Sequence, residues 1–183
     1  GRALTTPGIS AGECLNLRRM RTLVLMRHAK SDYPDGVADH DRPLAPRGIR
    51  EAGLAGDWLR GTLPVIDAVL CSTASRTRQT LDRTGIDAPV NYLERLYGAT
   101  PAAMIDEINR VEEAVGTLLV VGHEPTMSQV SLGLAAYPVS DAEAFGDIKR
   151  KFPTSGIAVL RVPAAWSVLT IDGAELMTFH VPR

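Results

Sequence analysis

The chain has 183 residues, 45% of them hydrophobic, and its 20 lysines and arginines nearly balance 21 aspartates and glutamates. This length and composition allow one domain with its own core and exclude a disordered chain. A net charge of −1 lacks the basic excess of a general nucleic-acid binder. The two cysteines, Cys14 and Cys71, are too few for a disulfide framework, and no apolar stretch reaches the roughly 18 residues of a membrane span. We therefore expect a cytoplasmic protein with no nucleic-acid or membrane partner.

The first 20 residues differ from the rest of the chain. They contain Gly, Pro, Ser and Thr without a clear period, and they lack the continuous apolar segment of a secretory signal. We predict a tail over residues 1–20 and a single domain over residues 21–183. An ordered N-terminal arm is the alternative.

Strand-like and helix-like segments alternate through residues 21–183. The strongest strand predictions are the apolar runs at 22–26, 65–71 and 117–121, and weaker ones fall at 89–93, 156–162, 166–171 and 175–181. Helices are predicted from Pro46, over 75–83, from Pro101 behind a Thr100 cap, from Pro125, and near 142–151. This order predicts a three-layer α/β/α sandwich whose sheet is mainly parallel, with an antiparallel portion late in the chain.

Three polar motifs directly follow the three strongest predicted strands. Arg27 and His28 follow the first, Arg76 lies in a Ser-Thr-Ala-Ser-Arg motif after the second, and His123 follows the third. In a parallel sheet these motifs share the carboxyl edge, where open α/β sheets bind ligands. Two arginines and two histidines in one crevice favour an anion, and a phosphate fits best. A neutral imidazole at such a site is a competent nucleophile.

The segments LVLMRHAKSD, STASRTRQT and VGHEP resemble the motifs of the histidine phosphatase superfamily, also called phosphoglycerate mutase-like. Residues 39–48, DHDRPLAPRG, are similar to the SixA-type phosphohistidine phosphatases of that superfamily. The resemblance implies that His28 is the phosphorylated nucleophile, that Arg27 and Arg76 bind the phosphoryl group, and that His123 completes the pocket. It also implies a phosphoglycerate mutase-like fold, no metal or organic cofactor, and protein phosphohistidine as substrate.

The proton donor to the leaving group stays open at this stage. Glu94 is our first choice, because many superfamily members supply an acidic residue between the second arginine motif and the late histidine. Glu124 and Asp32 are alternatives. A phosphohistidine substrate needs little acid assistance, because imidazole is a good leaving group.

Two other functions compete with phosphohistidine hydrolysis. One is a phosphatase for small monoesters such as sugar or nucleotide phosphates, and the other is a non-catalytic phosphate-binding module. Residues 95–122 leave no room for a large cap insertion, so we expect an open pocket that suits a phosphorylated protein. Asp39, His40 and Asp41 resemble a metal site in residue type, but adjacent residues cannot easily face one ion, and we predict a polar loop. The sequence makes no prediction of oligomeric state.

Overall fold

The computed structural model describes residues 20–183. The predicted tail therefore lies outside the described residues except for Met20, and the domain boundary stays a prediction. Within residues 20–183, no helix is both long enough and apolar enough to cross a membrane.

Six strands and five α-helices form the described part of the chain. The strands are β1 (Arg21–Arg27), β2 (Ala68–Ser72), β3 (Val90–Leu93), β4 (Thr117–Gly122), β5 (Ile157–Val162) and β6 (Glu175–His180). The helices are α1 (Pro46–Thr62), α2 (Ser75–Thr84), α3 (Pro101–Asn109), α4 (Thr126–Leu134) and α5 (Ala142–Arg150). Short 3-10 turns occur at Asp39–Asp41, Glu94–Leu96 and Trp166–Val168.

The strands form one sheet in the order β3-β2-β4-β1-β5-β6. Strands β1 to β4 are parallel, whereas β5 runs antiparallel to β1 and β6 runs antiparallel to β5. Arg27 at the end of β1 is level with Gly122 at the end of β4, and Met26 is level with Ile157 at the start of β5. The carboxyl ends of β1, β2 and β4 and the amino end of β5 therefore share one edge.

The sheet separates two apolar cores. Leu23 and Leu25 of β1 pack in the core formed with α3, α4 and α5, whereas Val24 and Met26 pack in the core formed with α1 and α2. Alternate side chains of a buried strand point to opposite faces, so both faces of β1 are covered by helices. The predicted three-layer α/β/α sandwich is confirmed, including the late antiparallel strands.

Three local predictions were wrong. The segment 166–171 is not a strand, because Trp166 is buried in a 3-10 turn where its indole N–H donates to the Val115 carbonyl at 2.8 Å. Strand β2 begins at Ala68 rather than at Val65, which is 82% exposed. The helical spacing of Ile49, Ala52 and Leu59 predicts that all three lie on one buried face of α1, but Ile49 is exposed.

Helix α1 approaches its neighbours through two glycines. A Cβ on Gly48 would lie 2.1 Å from the Lys30 carbonyl oxygen, and one on Gly56 would lie 2.0 Å from the Thr84 carbonyl oxygen. The small residues on one face of this helix predict that it packs close to the sheet. Its closest contacts are instead to the segment after β1 and to the end of α2, so α1 helps to fix two of the elements that carry predicted site residues.

Candidate active site

The shared edge of the sheet brings four predicted site residues together. His28 directly follows β1, and its backbone N–H donates to the carbonyl of Gly122, the residue before His123, at 3.0 Å. The two imidazole rings are 5.3 Å apart between centroids, and both histidines are buried. Arg27 and Arg76 lie close enough to lower the pKa of both histidines electrostatically.

The His28 ring is held in one orientation and one tautomer. Its Nδ1 lies 2.7 Å from the Ala29 carbonyl oxygen, which only accepts hydrogen bonds. Nδ1 must therefore carry the proton, and Nε2 of the neutral ring has a free lone pair. Burial lowers the pKa of His28 to about 3, and the charges of His123, Arg76 and Arg27 act in the same direction. The ring is neutral throughout the physiological pH range.

Arg76 lies in the first turn of α2 and is 6% exposed. Its guanidinium donates to the Asp39 backbone oxygen at 2.7 Å and to Asp39 Oδ2 at 3.1 Å, while its buried Nε has no partner among the described residues. Thr80 joins this helix to the segment after β1, because its hydroxyl donates to the Arg76 carbonyl and accepts from the Ala29 N–H. The positions of Arg76 and His28 are thereby linked.

His123 follows β4 and contacts the end of β2. Its Nε2 lies 2.8 Å from the Ser72 hydroxyl oxygen, and its buried Nδ1 has no partner among the described residues. Burial and the positive charge of Arg76 together lower the pKa of His123 to about 4. The Ser72 oxygen also accepts the Ala74 N–H at 3.3 Å, so its own proton is available for His123 Nε2. That arrangement leaves Nδ1–H as a free donor.

Arg27 is positioned by the segment before β5. Its guanidinium donates to the Phe152 carbonyl at 2.9 Å, and its backbone N–H donates to the Gly156 carbonyl at 3.0 Å. Burial lowers the pKa of Arg27, and the nearby negative charge of Glu124 opposes that effect. The buried Nε has no partner among residues 20–183. The guanidinium therefore keeps donors for an anion.

Ser155 belongs to the same segment and was not found by sequence reasoning. It is fully buried, its backbone N–H donates to the His28 carbonyl at 3.1 Å, and its φ is 65°. Left-handed backbone is costly for a residue with a Cβ and persists where the surroundings impose it. No periodicity or motif distinguishes this serine, so only the structure shows that it supports His28.

The rim of the site contains three residues that sequence reasoning assigned to a polar loop or passed over. We call Asp39, His40 and Tyr97 the rim cluster. The Tyr97 hydroxyl donates to Asp39 Oδ2, and the Tyr97 ring meets the His40 ring edge-on at 4.9 Å and the His123 ring at 5.5 Å. The Tyr97 hydrogen bond and the neighbouring Arg76 lower the pKa of Asp39 to about 2, although burial opposes the shift. The segment predicted as a loop contains a 3-10 turn that packs against Arg76.

The three candidate proton donors are placed differently. Glu94 is exposed in the turn after β3, and within the described residues its carboxylate makes no hydrogen bond or ion pair. Glu124 is engaged at the start of α4, where its carboxylate accepts the Ser128 N–H at 2.7 Å and the Ser128 hydroxyl at 2.9 Å. Asp32 is exposed and accepts the Tyr33 N–H. The role of each in proton transfer stays a prediction.

A cavity of about 420 Å³ lies at the opposite edge of the sheet, among Asp67, Val90 and Val115. These residues precede or begin strands, so the cavity is remote from the carboxyl ends that hold the histidines. The residues that line it include no histidine, cysteine or lysine. The two buried histidines, Arg27 and Arg76 lie at the other edge of the sheet.

Comparison with known proteins agrees with this geometry. The family model described as histidine phosphatase superfamily (branch 1) matches residues 23–98, which contain His28 and Arg76. An uncharacterized protein of Mycobacterium tuberculosis is 66% identical over 158 residues, which cover 86% of this chain and 100% of that protein. The phosphohistidine phosphatase SixA of Escherichia coli is 30% identical over 141 residues, covering 73% of this chain and 81% of that protein.

A solved structure shows the same likeness. A protein of Nakamurella multipartitia assigned as phosphohistidine phosphatase SixA has a TM-score of 0.82 and 44% identity, covering 89% of this chain and 96% of that one. The chain therefore belongs to the histidine phosphatase superfamily, a group of phosphatases with the phosphoglycerate mutase-like fold. Within that superfamily it is similar to the SixA proteins.

Proposed function

We propose that this protein is a metal-independent phosphatase that hydrolyses phosphohistidine on a partner protein through a phosphorylated His28. The observation that carries the proposal is the His28 ring itself. Its Nδ1–H donates a hydrogen bond to the Ala29 carbonyl, and its pKa is lowered to about 3. Its unprotonated Nε2 lies in a site that contains two arginines. A cytoplasmic location, expected from the cysteine content, stays part of the proposal.

In the first step, the phosphoryl oxygens bind the free donors of Arg27, Arg76 and His123. Arginine donates in a fixed fork that matches phosphate geometry, and preformed donors stabilise the charge that spreads over the equatorial oxygens. His28 Nε2 attacks phosphorus opposite the leaving group. A bond forms between phosphorus and Nε2, and the bond to the leaving nitrogen breaks with its electron pair on that nitrogen.

In the second step, water attacks phosphorus from the side that the leaving group vacated. The bond between phosphorus and His28 Nε2 breaks, inorganic phosphate departs, and Nε2 regains its lone pair. The water proton goes to the phosphate oxygens or to solvent. The same arginines and His123 serve both steps, because each step passes through the same distribution of charge.

Phosphohistidine is favoured over a phosphate ester by the chemistry of the leaving group. An alkoxide needs a proton as it leaves, whereas a phosphorylated imidazole can leave as a neutral ring. Among the three candidate acids, Glu124 is already engaged at α4 and the other two are exposed. The likeness to SixA proteins supports the same choice.

The test compares phosphate release from a phosphohistidine-containing protein with release from sugar, nucleotide and aryl phosphates, with EDTA present throughout. His28→Ala removes the proposed nucleophile. His180→Ala is the matched control, because His180 stacks on Trp58 away from His28 and His123. We expect EDTA-resistant release from the phosphohistidine protein and acid-labile labelling of the wild type and the control but not of His28→Ala. Faster release from one small monoester would assign the enzyme to that substrate. Silence on all substrates, with no labelling, would favour a phosphate-binding module.

A further inference from the structure

The Asp39 carboxylate has no role in the two steps described above, yet it lies at the rim of the site. It contacts the phosphate-binding arginine directly, since Asp39 Oδ2 is 3.1 Å from the Arg76 guanidinium. It also lies close enough to His123 to raise the pKa of that ring electrostatically. An acidic side chain beside an anion-binding site is unfavourable for the anion.

Asp39 lies on the solvent-exposed side of Arg76. His28 is 6% exposed, whereas the Asp39 side chain is 57% exposed, and the buried guanidinium of Arg76 contacts Asp39 from beneath. A nucleophile attacks phosphorus opposite the leaving group, so attack from the buried ring directs the leaving group outward. The Asp39 carboxylate lies on this outward side of Arg76.

The leaving group of phosphohistidine has a feature that no phosphate ester has. In its cationic form, the ring carries phosphorus on one nitrogen and a proton on the other. Cleavage from this form releases a neutral imidazole with its proton already in place. A carboxylate that accepts the N–H stabilises the cationic form and raises its pKa.

We propose that Asp39 is the residue that recognises the leaving imidazole, accepting its distal N–H and keeping the ring cationic until the P–N bond breaks. In that step, His28 Nε2 forms the new bond to phosphorus, the P–N electron pair stays on the ring nitrogen, and the ring proton stays where it was. This inference rests on the proposed function and names the element that selects phosphorylated imidazole over phosphate esters. It also explains how the ring can leave without a proton donor at the leaving nitrogen.

The surroundings of Asp39 keep its carboxylate charged and in place. Asp39 Oδ1 accepts from Arg42 Nε at 3.1 Å, and Oδ2 accepts from Arg76 and from the Tyr97 hydroxyl. An ionised carboxylate has about four acceptor positions, so one remains for a ring N–H. The aromatic rings of His40 and Tyr97, set edge-on at 4.9 Å, flank the carboxylate and provide apolar surface for a flat leaving group.

Charge also separates the two substrate classes. A phosphate monoester approaches Asp39 as a dianion, whereas phosphorylated imidazolium carries one positive charge more. Repulsion by the carboxylate therefore acts more strongly on the ester. Asp39 therefore favours the imidazole substrate in two ways. It accepts a hydrogen bond from the ring, and it repels this less negative substrate less than it repels the ester.

The test uses the purified full-length chain with phosphoimidazole and p-nitrophenyl phosphate as probes. Asp39→Asn keeps the shape of the side chain and removes its charge. Asp41→Asn is the matched control, because Asp41 is an exposed aspartate of the same 3-10 turn, and its Oδ1 lies 3.5 Å from His40 Nδ1 rather than beside Arg76. We expect Asp39→Asn to lower kcat/KM for phosphoimidazole about 10- to 100-fold, the range of a charge-assisted hydrogen bond, and to raise it for p-nitrophenyl phosphate. Asp41→Asn should leave both values at the wild-type level.

An equal loss on both probes would overturn the inference, because Asp39 would then act only by holding Arg76. Wild-type enzyme that hydrolyses p-nitrophenyl phosphate but not phosphoimidazole would instead refute the proposed function, before any variant is compared. Wild-type enzyme that is silent on both probes would refute both.

A pH profile supplies a second readout. The wild-type rate on phosphoimidazole should persist to higher pH than that of Asp39→Asn, because the carboxylate raises the pKa of the bound ring. The other charged or titratable groups around Asp39 are Arg42, Arg76, Tyr97, His40 and His123, and they are the same in both proteins. Asp39→Glu, which retains the charge, should restore part of the rate. Coincident pH profiles, or a glutamate variant as slow as the asparagine variant, would overturn the inference.

Discussion

The two buried histidines should make the protein lose stability as pH falls through the range in which free histidine titrates. Their pKa values are lowered from 6.5 to about 3 for His28 and about 4 for His123. Below pH 6.5 the unfolded chain binds a proton at each ring, whereas the folded protein does not. Stability is therefore fully present above pH 6.5 and declines as pH falls towards the folded pKa values.

The size of this loss follows from the same values. At pH 5, each unfolded histidine is almost fully protonated, and each folded one is almost fully neutral. A difference of about 1.5 pH units from the unfolded pKa corresponds to about 2 kcal/mol per ring. The pair should lower the free energy of unfolding by about 4 kcal/mol between pH 8 and pH 5. Asp39 contributes little in this range, because its pKa is 3.8 in the unfolded chain and is lowered to about 2 in the folded protein.

Urea unfolding at pH 8, 7, 6 and 5 measures the effect. His28→Asn and His123→Asn each remove one buried imidazole, so each variant should lose about 2 kcal/mol less than the wild type between pH 8 and pH 5. The comparison cancels the contributions of all other titrating groups, provided that the urea m-values agree. If the wild type and both variants lose stability in parallel, the rings are not held neutral by burial, and the argument for a neutral nucleophile at acidic pH is refuted.

Four further predictions follow from the surroundings of single residues. Gly56→Ala should lower the free energy of unfolding by about 3 kcal/mol or more, because its Cβ would lie 2.0 Å from the Thr84 carbonyl oxygen. Gly53→Ala, in the same helix with nothing within 4 Å, should raise it by about 1 kcal/mol in the same urea titration. Arg76→Lys should lower phosphatase kcat/KM by about 100-fold with an unchanged circular dichroism spectrum, because lysine cannot reproduce the bidentate fork. Ser155→Gly should raise the thermal midpoint, because it relieves a φ of 65° and removes a buried hydroxyl that lacks a partner among the described residues.

The sheet and the meeting of four site residues could be predicted because each depends on local sequence order. A polar motif after an apolar run marks the end of a strand, and the parallel rule places such ends on one edge. Arg27, His28, Arg76 and His123 all follow this pattern. The tautomer of His28 was not predictable, since it depends on where the Ala29 carbonyl points.

The rim cluster illustrates what sequence order could not provide. Asp39 and Tyr97 are 58 positions apart, and their hydrogen bond depends on how two turns without regular periodicity fold over Arg76. Trp166 misled the strand prediction for a related reason. Its apolar neighbours suit a strand, but the hydrogen bond of its indole to Val115 and those of its backbone to Glu113 fix a 3-10 turn instead.

The antiparallel placement of β5 has a consequence for when the enzyme can first work during its synthesis. The four predicted site residues are all present once residue 123 has been made. Arg27, however, donates hydrogen bonds to the Phe152 and Gly156 carbonyls, and the His28 carbonyl accepts one from the Ser155 N–H. β5, which also supplies one neighbour of the central strand β1, is the next-to-last strand in the sequence. A growing chain on the ribosome therefore carries every chemical group of the site long before it can hold them in position. Activity should begin only after residues 152–162 have also emerged.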